Sequence, residues 1–415
     1  MVVVMTAFVF AAFLYIAHRY QNPLYLKLGL VALAGHVVVA VVVVPVVPYT
    51  WDFGQFDRAA QEVATGGLPG GSTVASFAAI QGLVYTIFGA DQTNIAIFSG
   101  FLAVLIPIPV RSIVIRLYDR SLLLGGLTAL LLFLPLPFLL LSLPMRDSFS
   151  VLLFFTLLAV ALRALQEREP LFGFTVVPLW GMLYLVRPEL ALVSVLGIVA
   201  SLGVMIIRDL GLNLSIPSLA AVLGGIGAVG FGLFAELLYS FERVNAELSY
   251  RATGGAVYLE GMQYRSWFDF LIAAPGRAIY FQFTPFPLHV ESLFHFLAFS
   301  ATLIVIVLFV SAIRSLYECN YDDIAAVLLV VVYLAGITGY SVINSNFGTN
   351  VRHRIVFDFL LIIAAAPVIA RWELLVRQWL RVVPGQRDED NEKQRETQEL
   401  HGHVQARRQY SDETD

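Results

Sequence analysis

Residues 25–60 read YLKLGLVALAGHVVVAVVVVPVVPYTWDFGQFDRAA. The first part, from Tyr25 to Val47, is a nearly continuous apolar run. Its length matches the roughly 20 residues that a helix needs to cross about 30 Å of hydrocarbon. A polar segment follows directly, so that two carboxylates, Asp52 and Asp57, emerge together at a membrane surface. The stretch therefore predicts a membrane-spanning helix followed by an acidic loop.

Composition extends this prediction to the whole chain. Of its 415 residues 58% are hydrophobic and 13% are charged, and the mean hydropathy is +0.78, which is too apolar for a water-soluble protein. We expect an all-α polytopic membrane protein, since the strand-length alternation of a membrane barrel is absent. The net charge of −4 argues against a polyanion-binding surface, and so against nucleic acid as a partner. Cys319 is the only cysteine, which excludes an intramolecular disulfide.

Apolar runs of suitable length predict about eleven transmembrane helices. They cover residues 3–17, 25–47, 92–110, 121–143, 148–165, 170–186, 190–207, 216–239, 294–313, 324–343 and 355–376. The segment 75–89 is short for a crossing, and we expect an interfacial helix on the outer leaflet there. Residues 1–383 then form a transmembrane domain with outer loops at about 48–91 and 240–293. Residues 384–415, which are charged and poor in apolar side chains, are expected to be a disordered cytoplasmic tail.

Positive charge in the short connections sets the orientation, because cytoplasmic loops are enriched in arginine and lysine. One set of connections contains most of these residues: Arg19, Lys27, Arg111, Arg116, Arg120, Arg163, Arg168, Arg208, Arg314, Arg371, Arg377 and Arg381. We therefore expect a plasma-membrane protein with its N-terminus outside and its C-terminus in the cytoplasm.

Four arginines contradict this charge asymmetry, since they lie in short turns on the predicted outer side: Arg146, Arg187, Arg352 and Arg354. Ionisable groups at membrane boundaries are costly, and they persist mainly where they pair or meet a charged ligand. Two interpretations stay open. The arginines could pair with Asp52, Asp57, Asp147 and Glu189, or they could line a water-accessible cleft in which guanidinium groups hold a phosphate.

Several motifs carry a resemblance to a known superfamily. The segment 52–60, followed by the predicted interfacial helix, resembles the opening of the type C (GT-C) membrane glycosyltransferases, which include protein mannosyltransferases and aminoarabinose transferases. Further matches are MRDS at 145–148, LVRPE at 185–189, PGRAIYFQFTPFP at 275–287 and NFGTNVRHR at 346–354. The match at 275–287 is similar to members involved in surface polysaccharide assembly. An additional apolar span before the acidic loop distinguishes the chain from better-known members and leaves the acceptor undetermined.

The resemblance implies an inverting hexosyl- or pentosyltransferase. It would move a sugar from a polyprenyl-phosphate-linked donor to a glycan, lipid or protein acceptor outside the cytoplasm. Asp52 would be the general base that removes the acceptor proton, and Asp57 is the competing candidate. No cofactor is implied with certainty, and a divalent cation held by Asp52 and Asp57 is an open alternative.

The same resemblance implies a donor site made of arginines, which would neutralise the departing lipid phosphate. The candidate phosphate-binding residues are Arg146, Arg187, Arg352 and Arg354. Three neighbouring side chains are candidates for a supporting role: Asp147, Glu189 and His353. No metal-binding motif occurs among the histidines and carboxylates.

Two other functions stay open. A surface-polysaccharide repeat-unit polymerase would use the same geometry with a lipid-linked oligosaccharide as both donor and acceptor. A lipid-linked sugar flippase or transporter should instead bury ionisable residues near the middle of its spans. The predicted spans are largely free of charge, with His36 and Glu236 as the main exceptions, so the distribution favours chemistry at the surface over transport.

Overall fold

A computed structural model describes residues 1–46, 53–67, 73–118, 122–211, 224, 227, 240–252, 256–259 and 261–382. Three predictions fall outside these residues: the general base Asp52, nearly all of the span 216–239, and the tail 384–415. The described chain is helical and contains no β-strand. It has one isolated antiparallel bridge, between Val257 and Asn346. The prediction of an all-α protein is thus confirmed for the described residues.

The helices are labelled here in chain order. They are α1 (Val2–Tyr20), α2 (Pro23–Val38), α3 (Phe53–Ala64), α4 (Thr73–Phe88), α5 (Gln92–Leu105), α6 (Pro107–Tyr118), α7 (Gly125–Phe133), α8 (Pro135–Leu141), α9 (Asp147–Glu167), α10 (Pro170–Val186), α11 (Pro188–Asp209), α12 (Phe241–Arg251), α13 (Trp267–Phe283), α14 (Leu293–Glu318), α15 (Asp323–Val342), α16 (Phe347–His353), α17 (Ile355–Ala364) and α18 (Ala366–Val382). A π-helical turn (Val39–Val43) and a 3₁₀ turn (Val44–Val46) extend α2, and a second 3₁₀ turn (Pro287–His289) precedes α14.

Seven helices within the described residues are long and apolar enough to cross a membrane, which makes the chain a multi-pass membrane protein. They are Val2–Tyr20, Pro23–Val46, Gln92–Tyr118, Asp147–Glu167, Pro188–Asp209, His295–Glu318 and Asp323–Val342. The pair α17 and α18 would make an eighth span if counted together, but it bends by 70° at Ala365.

The predicted count of eleven spans is not confirmed. Helix α10 has only 17 residues. The predicted span 121–143 divides at Leu134, whose backbone is extended because the ring of Pro135 disfavours a helical residue before it. The predicted span 355–376 is bent at Ala365, between α17 and α18. Pro367 lacks the N–H that would continue the hydrogen bonds of α17. Among the described residues, the straight helices long enough to cross a membrane are therefore fewer than the predicted spans.

Charged side chains gather at the two ends of α9. Asp147 contacts Arg187 and Arg352 at what we call the first end, and Glu167 pairs with Arg116 at 2.6 Å at the second end. A helix of 21 residues is about 31 Å long at 1.5 Å per residue, which matches the thickness of the hydrocarbon core. The two charged ends thus lie one membrane thickness apart.

The first predicted outer loop folds into two helices, α3 and α4, that pack on each other and on the first end. The segment 75–89, predicted to be an interfacial helix, is helical as part of α4. Phe56 of α3 packs edge-on against Phe77 of α4, with ring centres 5.5 Å apart. Gln81 reaches the carbonyl of Pro144, 3.5 Å away, in the turn before α9. These contacts hold the acidic loop beside the Arg146 turn.

The second predicted outer loop contains α13, which packs into the helix bundle. Its Arg277 is 1% exposed and donates hydrogen bonds to the carbonyls of Ser341 (2.8 Å) and Asn344 (2.7 Å), at the C-terminal end of α15. A cation there satisfies carbonyls that the helix leaves unpaired and complements the helix dipole. The last turn of α13 also contacts α17, since the side chain of Gln282 donates a hydrogen bond to the carboxylate of Asp358 at 2.8 Å.

Helices α15 and α17 approach closely at Gly336. The ring of Phe357, which is fully buried, occupies the space where a Cβ at this position would lie. The same ring packs edge-on against Tyr340, one turn further along α15, at 5.8 Å. Glycine at 336 thus sets the spacing between α15, which carries Tyr340, and α17, which Arg354 directly precedes.

We predict that Gly336→Ala destabilises the protein by about 1–3 kcal/mol, because overpacking forces a buried ring to move. The measurement is the thermal unfolding midpoint in detergent. Gly339→Ala is the matched control on the same helix, since no atom lies within 4 Å of its Cβ position. That control gains about 0.5–1 kcal/mol from helix propensity. Equal midpoints for the two variants would contradict the packing described here.

Candidate functional site

The carboxylate of Asp147 joins three segments of the chain at the first end. Asp147 is the first residue of α9, and its side chain is 5% exposed. It accepts a hydrogen bond from Nη2 of Arg187 and another, at 2.6 Å, from Nε of Arg352. An acidic residue in the first turn also complements the helix dipole. We call Arg146, Asp147, Arg187 and Arg352 together the arginine cluster.

The local backbone explains how Arg187 and Arg146 enter this cluster. Arg187 is the single residue between α10 and α11, and Pro188 excludes a helical conformation for it, so the chain turns there. Arg146 precedes α9 and donates from Nη1 to the carbonyl of Val186 at 2.8 Å. Its guanidinium lies 5.7 Å from the centre of the Phe56 ring, within the range of a cation–π contact. Helix ends thus place the guanidinium groups.

Three further side chains surround the cluster. The Tyr340 hydroxyl lies beside Arg187, and the ring of His353 stands edge-on to Tyr340 with centres 5.0 Å apart. Glu189, in the first turn of α11, is near enough to act electrostatically on both Arg146 and Arg187. The predicted supporting residues Asp147, Glu189 and His353 are therefore all brought together here.

The charges of the described residues in this region do not cancel. Three guanidinium groups and two carboxylates, Asp147 and Glu189, leave one positive charge among them. Burial opposes the charge on Arg187, but the neighbouring Asp147 carboxylate raises the pKa of Arg187 above its ordinary value. Burial, followed by repulsion from Arg187, lowers the pKa of Arg146 to about 10. Both guanidinium groups are thus protonated at neutral pH, and the region attracts anions.

Among the buried polar atoms that have no hydrogen-bond partner in the described part of the chain, four lie in or beside the arginine cluster: Nε of Arg146, Nε of Arg187, Oε2 of Glu189 and Nδ1 of His353. Nearly all buried polar groups in proteins are hydrogen-bonded to protein or water. Two of these four atoms, Nε of Arg146 and Nε of Arg187, are donors on positively charged groups. The arrangement can therefore accept an anion with several oxygen atoms, such as a phosphate, to which guanidinium groups bind by paired hydrogen bonds.

Arg354 does not join the arginine cluster. Its guanidinium, 1% exposed, donates to the carbonyls of Gln282 (3.2 Å) and Thr284 (2.5 Å) and to the hydroxyl of Thr302 (3.0 Å). Residues two apart on a helical turn point to nearly opposite sides, so Arg352 and Arg354 cannot face one site. The contacts of Arg354 cap the end of α13, and the phosphate-binding role expected for it stays a prediction without a supporting contact.

Asp57 holds the two helices of the first loop together. It is buried, and its two carboxylate oxygens accept hydrogen bonds from the Tyr85 hydroxyl and, at 3.0 Å, from Gln61. Among the described residues, no three His, Cys, Asp or Glu side chains are grouped to hold a metal ion. A cation between Asp52 and Asp57 stays a prediction, because Asp52 lies outside those residues.

Sequence reasoning missed three residues that shape this region. Phe56 is a neighbour of Asp57 in the sequence, and nothing there indicates its contact with Arg146. Tyr340 lies in an apolar run, and a polar aromatic residue near the end of a span is a weak signal by itself. Arg277 lies within the matching segment 275–287, where a single arginine among apolar residues indicates a buried acceptor.

Comparisons of the chain with protein-family models, with curated proteins and with solved structures found no match.

We predict that Asp147→Asn destabilises the protein by about 3–5 kcal/mol, because it leaves the buried Arg187 without its counter-charge. Asp209→Asn is the control: its carboxylate binds Arg168 at 2.6 Å in an exposed pair, and such pairs contribute about 1 kcal/mol or less. Thermal unfolding in detergent distinguishes the two. Similar shifts for both variants would show that the Asp147 pair is not buried.

A second prediction concerns pH. Burial, followed by repulsion from Arg187 and Arg352, holds the pKa of His353 well below its ordinary value. As the pH falls below about 6.5, His353 binds a proton in the unfolded chain but stays neutral in the folded protein. The free energy of unfolding therefore falls by up to about 1.4 kcal/mol per pH unit. We predict that the thermal unfolding midpoint of His353→Gln falls less than that of wild type when the pH is lowered from 7.5 to 5.5.

The difference between wild type and variant isolates this residue, because all the other histidines are present in both proteins. His18→Gln, which changes an exposed histidine, is the matched control and should keep the wild-type profile. Parallel profiles for wild type and His353→Gln would mean that His353 is not held neutral.

Proposed function

We propose that the protein is a membrane glycosyltransferase that moves a sugar from a polyprenyl-phosphate-linked donor to an acceptor at the outer face of the plasma membrane, in cell-surface glycan or glycoprotein synthesis. The observation that carries this proposal is the arginine cluster at the first end of the membrane helices. A polyprenyl chain lies in the hydrocarbon and its phosphate lies at the surface, where the cluster is placed. The resemblance of 52–60 and 346–354 to type C glycosyltransferases supports the same conclusion.

The cluster would act on the leaving group. When the bond between the anomeric carbon and the phosphate oxygen breaks, its electron pair stays on the phosphate and adds negative charge there. Arg187 and Arg352, both fixed by Asp147, would stabilise that charge without having to reorganise, which is the effective form of electrostatic catalysis. Arg146 would contribute its unpartnered Nε.

The acceptor would be activated from the acidic loop. Its hydroxyl or amide forms a bond to the anomeric carbon on the face opposite the leaving phosphate, which inverts the configuration. The acceptor proton passes to a carboxylate, a step that contributes about 10²- to 10⁴-fold. Asp52 is our candidate, because both carboxylate oxygens of Asp57 already accept hydrogen bonds within the loop. The products are the glycosylated acceptor and the polyprenyl phosphate.

The test is transfer of radiolabelled sugar from polyprenyl-phosphate sugars in membranes containing wild type or variants at matched expression. We predict that Arg352→Gln lowers kcat/KM about 10²- to 10³-fold, as loss of one charge-stabilising donor does. Asp52→Asn should lower it about 10²- to 10⁴-fold.

Arg314→Gln is the control, since Arg314 lies at the second end in an exposed pair with Glu318 at 2.7 Å. It should transfer sugar at the wild-type rate. Wild-type transfer by Arg352→Gln would contradict the phosphate assignment. Absence of transfer by wild type, with lipid-linked sugar instead crossing the membrane, would favour a flippase.

A further inference from the structure

A cavity of about 710 Å³ opens at the second end, between the ends of α6, α9, α11 and α15. We propose that it binds the headgroup phosphate of an anionic membrane lipid. The cavity is separate from the arginine cluster, because the two lie at opposite ends of α9, about 31 Å apart at 1.5 Å per residue. The proposal does not depend on the proposed function.

The position of the cavity indicates a ligand at headgroup level. Its lining residues come from the last two turns of α6, α9 and α11, from Arg168 directly after α9, and from the N-cap and first turn of α15. Apart from α6, which continues the span beginning at Gln92, each of these helices is a candidate span in its own right. The mouth of the cavity therefore lies where the hydrocarbon core ends. Basic pockets between transmembrane helices at this level are suited to anionic lipid headgroups.

Three arginines from different segments line the cavity, and two of them are available to an anion. Arg208 lies 3.8 Å from Asp322, beyond hydrogen-bond distance, and Asp322 already accepts from the backbone N–H of Ala325 at 2.9 Å as the N-cap of α15. Arg168 pairs with Asp209 at 2.6 Å, but both side chains are about half exposed, and water screens such pairs. Both arginines can turn to a phosphate without leaving a buried carboxylate unpaired.

The third arginine, Arg116, is held in place by neighbouring side chains. Arg116 donates to Glu167 (2.6 Å) and to Gln166 (3.2 Å), so it is already hydrogen-bonded in place. Apolar side chains, among them Ile115 and Met205, also line the cavity, and its three arginines outnumber its two aspartates, Asp209 and Asp322. A surplus arginine beside apolar side chains fits a phosphate attached to a glycerol and acyl chains better than a free phosphate ion.

The experiment is native mass spectrometry of the purified protein in detergent with phosphatidylglycerol or phosphatidylcholine. Wild type should retain phosphatidylglycerol in preference to phosphatidylcholine. The double variant Arg168→Gln/Arg208→Gln should retain about tenfold less phosphatidylglycerol, as expected for lost charge-assisted contacts. Arg314→Gln, an exposed arginine at the same end that does not line the cavity, should behave as wild type.

Equal retention by the double variant would overturn the proposed site, provided that its unfolding midpoint shows a folded protein. Equal retention of the two lipids by wild type would overturn the requirement for an anionic headgroup. A third arm uses inorganic phosphate as competitor. Displacement of phosphatidylglycerol by phosphate at the same concentration would show that the cavity recognises the free ion rather than the lipid.

Discussion

The buried contact of Asp147 with Arg187 and Arg352 is the interaction on which the first end depends. These residues come from three separate segments, and an unpaired charge in a buried position would be far more costly than the pairing. The contact therefore fixes the turn before α9, the break between α10 and α11, and the short helix α16 relative to one another. Two arginines are thereby held at one place before any ligand arrives.

The arginine cluster keeps a small positive charge after its ion pairs have formed. Asp147 occupies both of its oxygens with arginines, so it positions them but does not neutralise them all. Arg146 adds a further charge, and Glu189 removes one, which leaves a net positive charge among the described residues of this region. The neutral state of His353 prevents still greater repulsion. A phosphate could then be attracted without leaving the folded protein unstable in its absence, because every guanidinium already has at least one protein acceptor.

Sequence reasoning could identify the arginines because the argument depended only on the turns in which they lie. It also identified the protein class, since apolar length is a property of the chain itself. The count of spans did not follow from the sequence, because the helix breaks between α7 and α8, and bends between α17 and α18, within long apolar runs. Sequence reasoning grouped Arg354 with Arg352 by proximity in the chain, whereas helix geometry separates them. The capping role of Arg277 depends on a neighbour 64 residues away, which local pattern does not contain.

The claim that most needs a direct measurement is that the arginine cluster binds a lipid phosphate. Calorimetric titration of the purified protein with a short-chain prenyl phosphate, and with the corresponding prenyl alcohol, measures this without a knowledge of the sugar or acceptor. We predict saturable binding of the phosphate that is much tighter than that of the alcohol, and loss of this preference in Arg352→Gln. Equal affinity for phosphate and alcohol, or a preference that persists in Arg352→Gln, would contradict a phosphate site at the cluster.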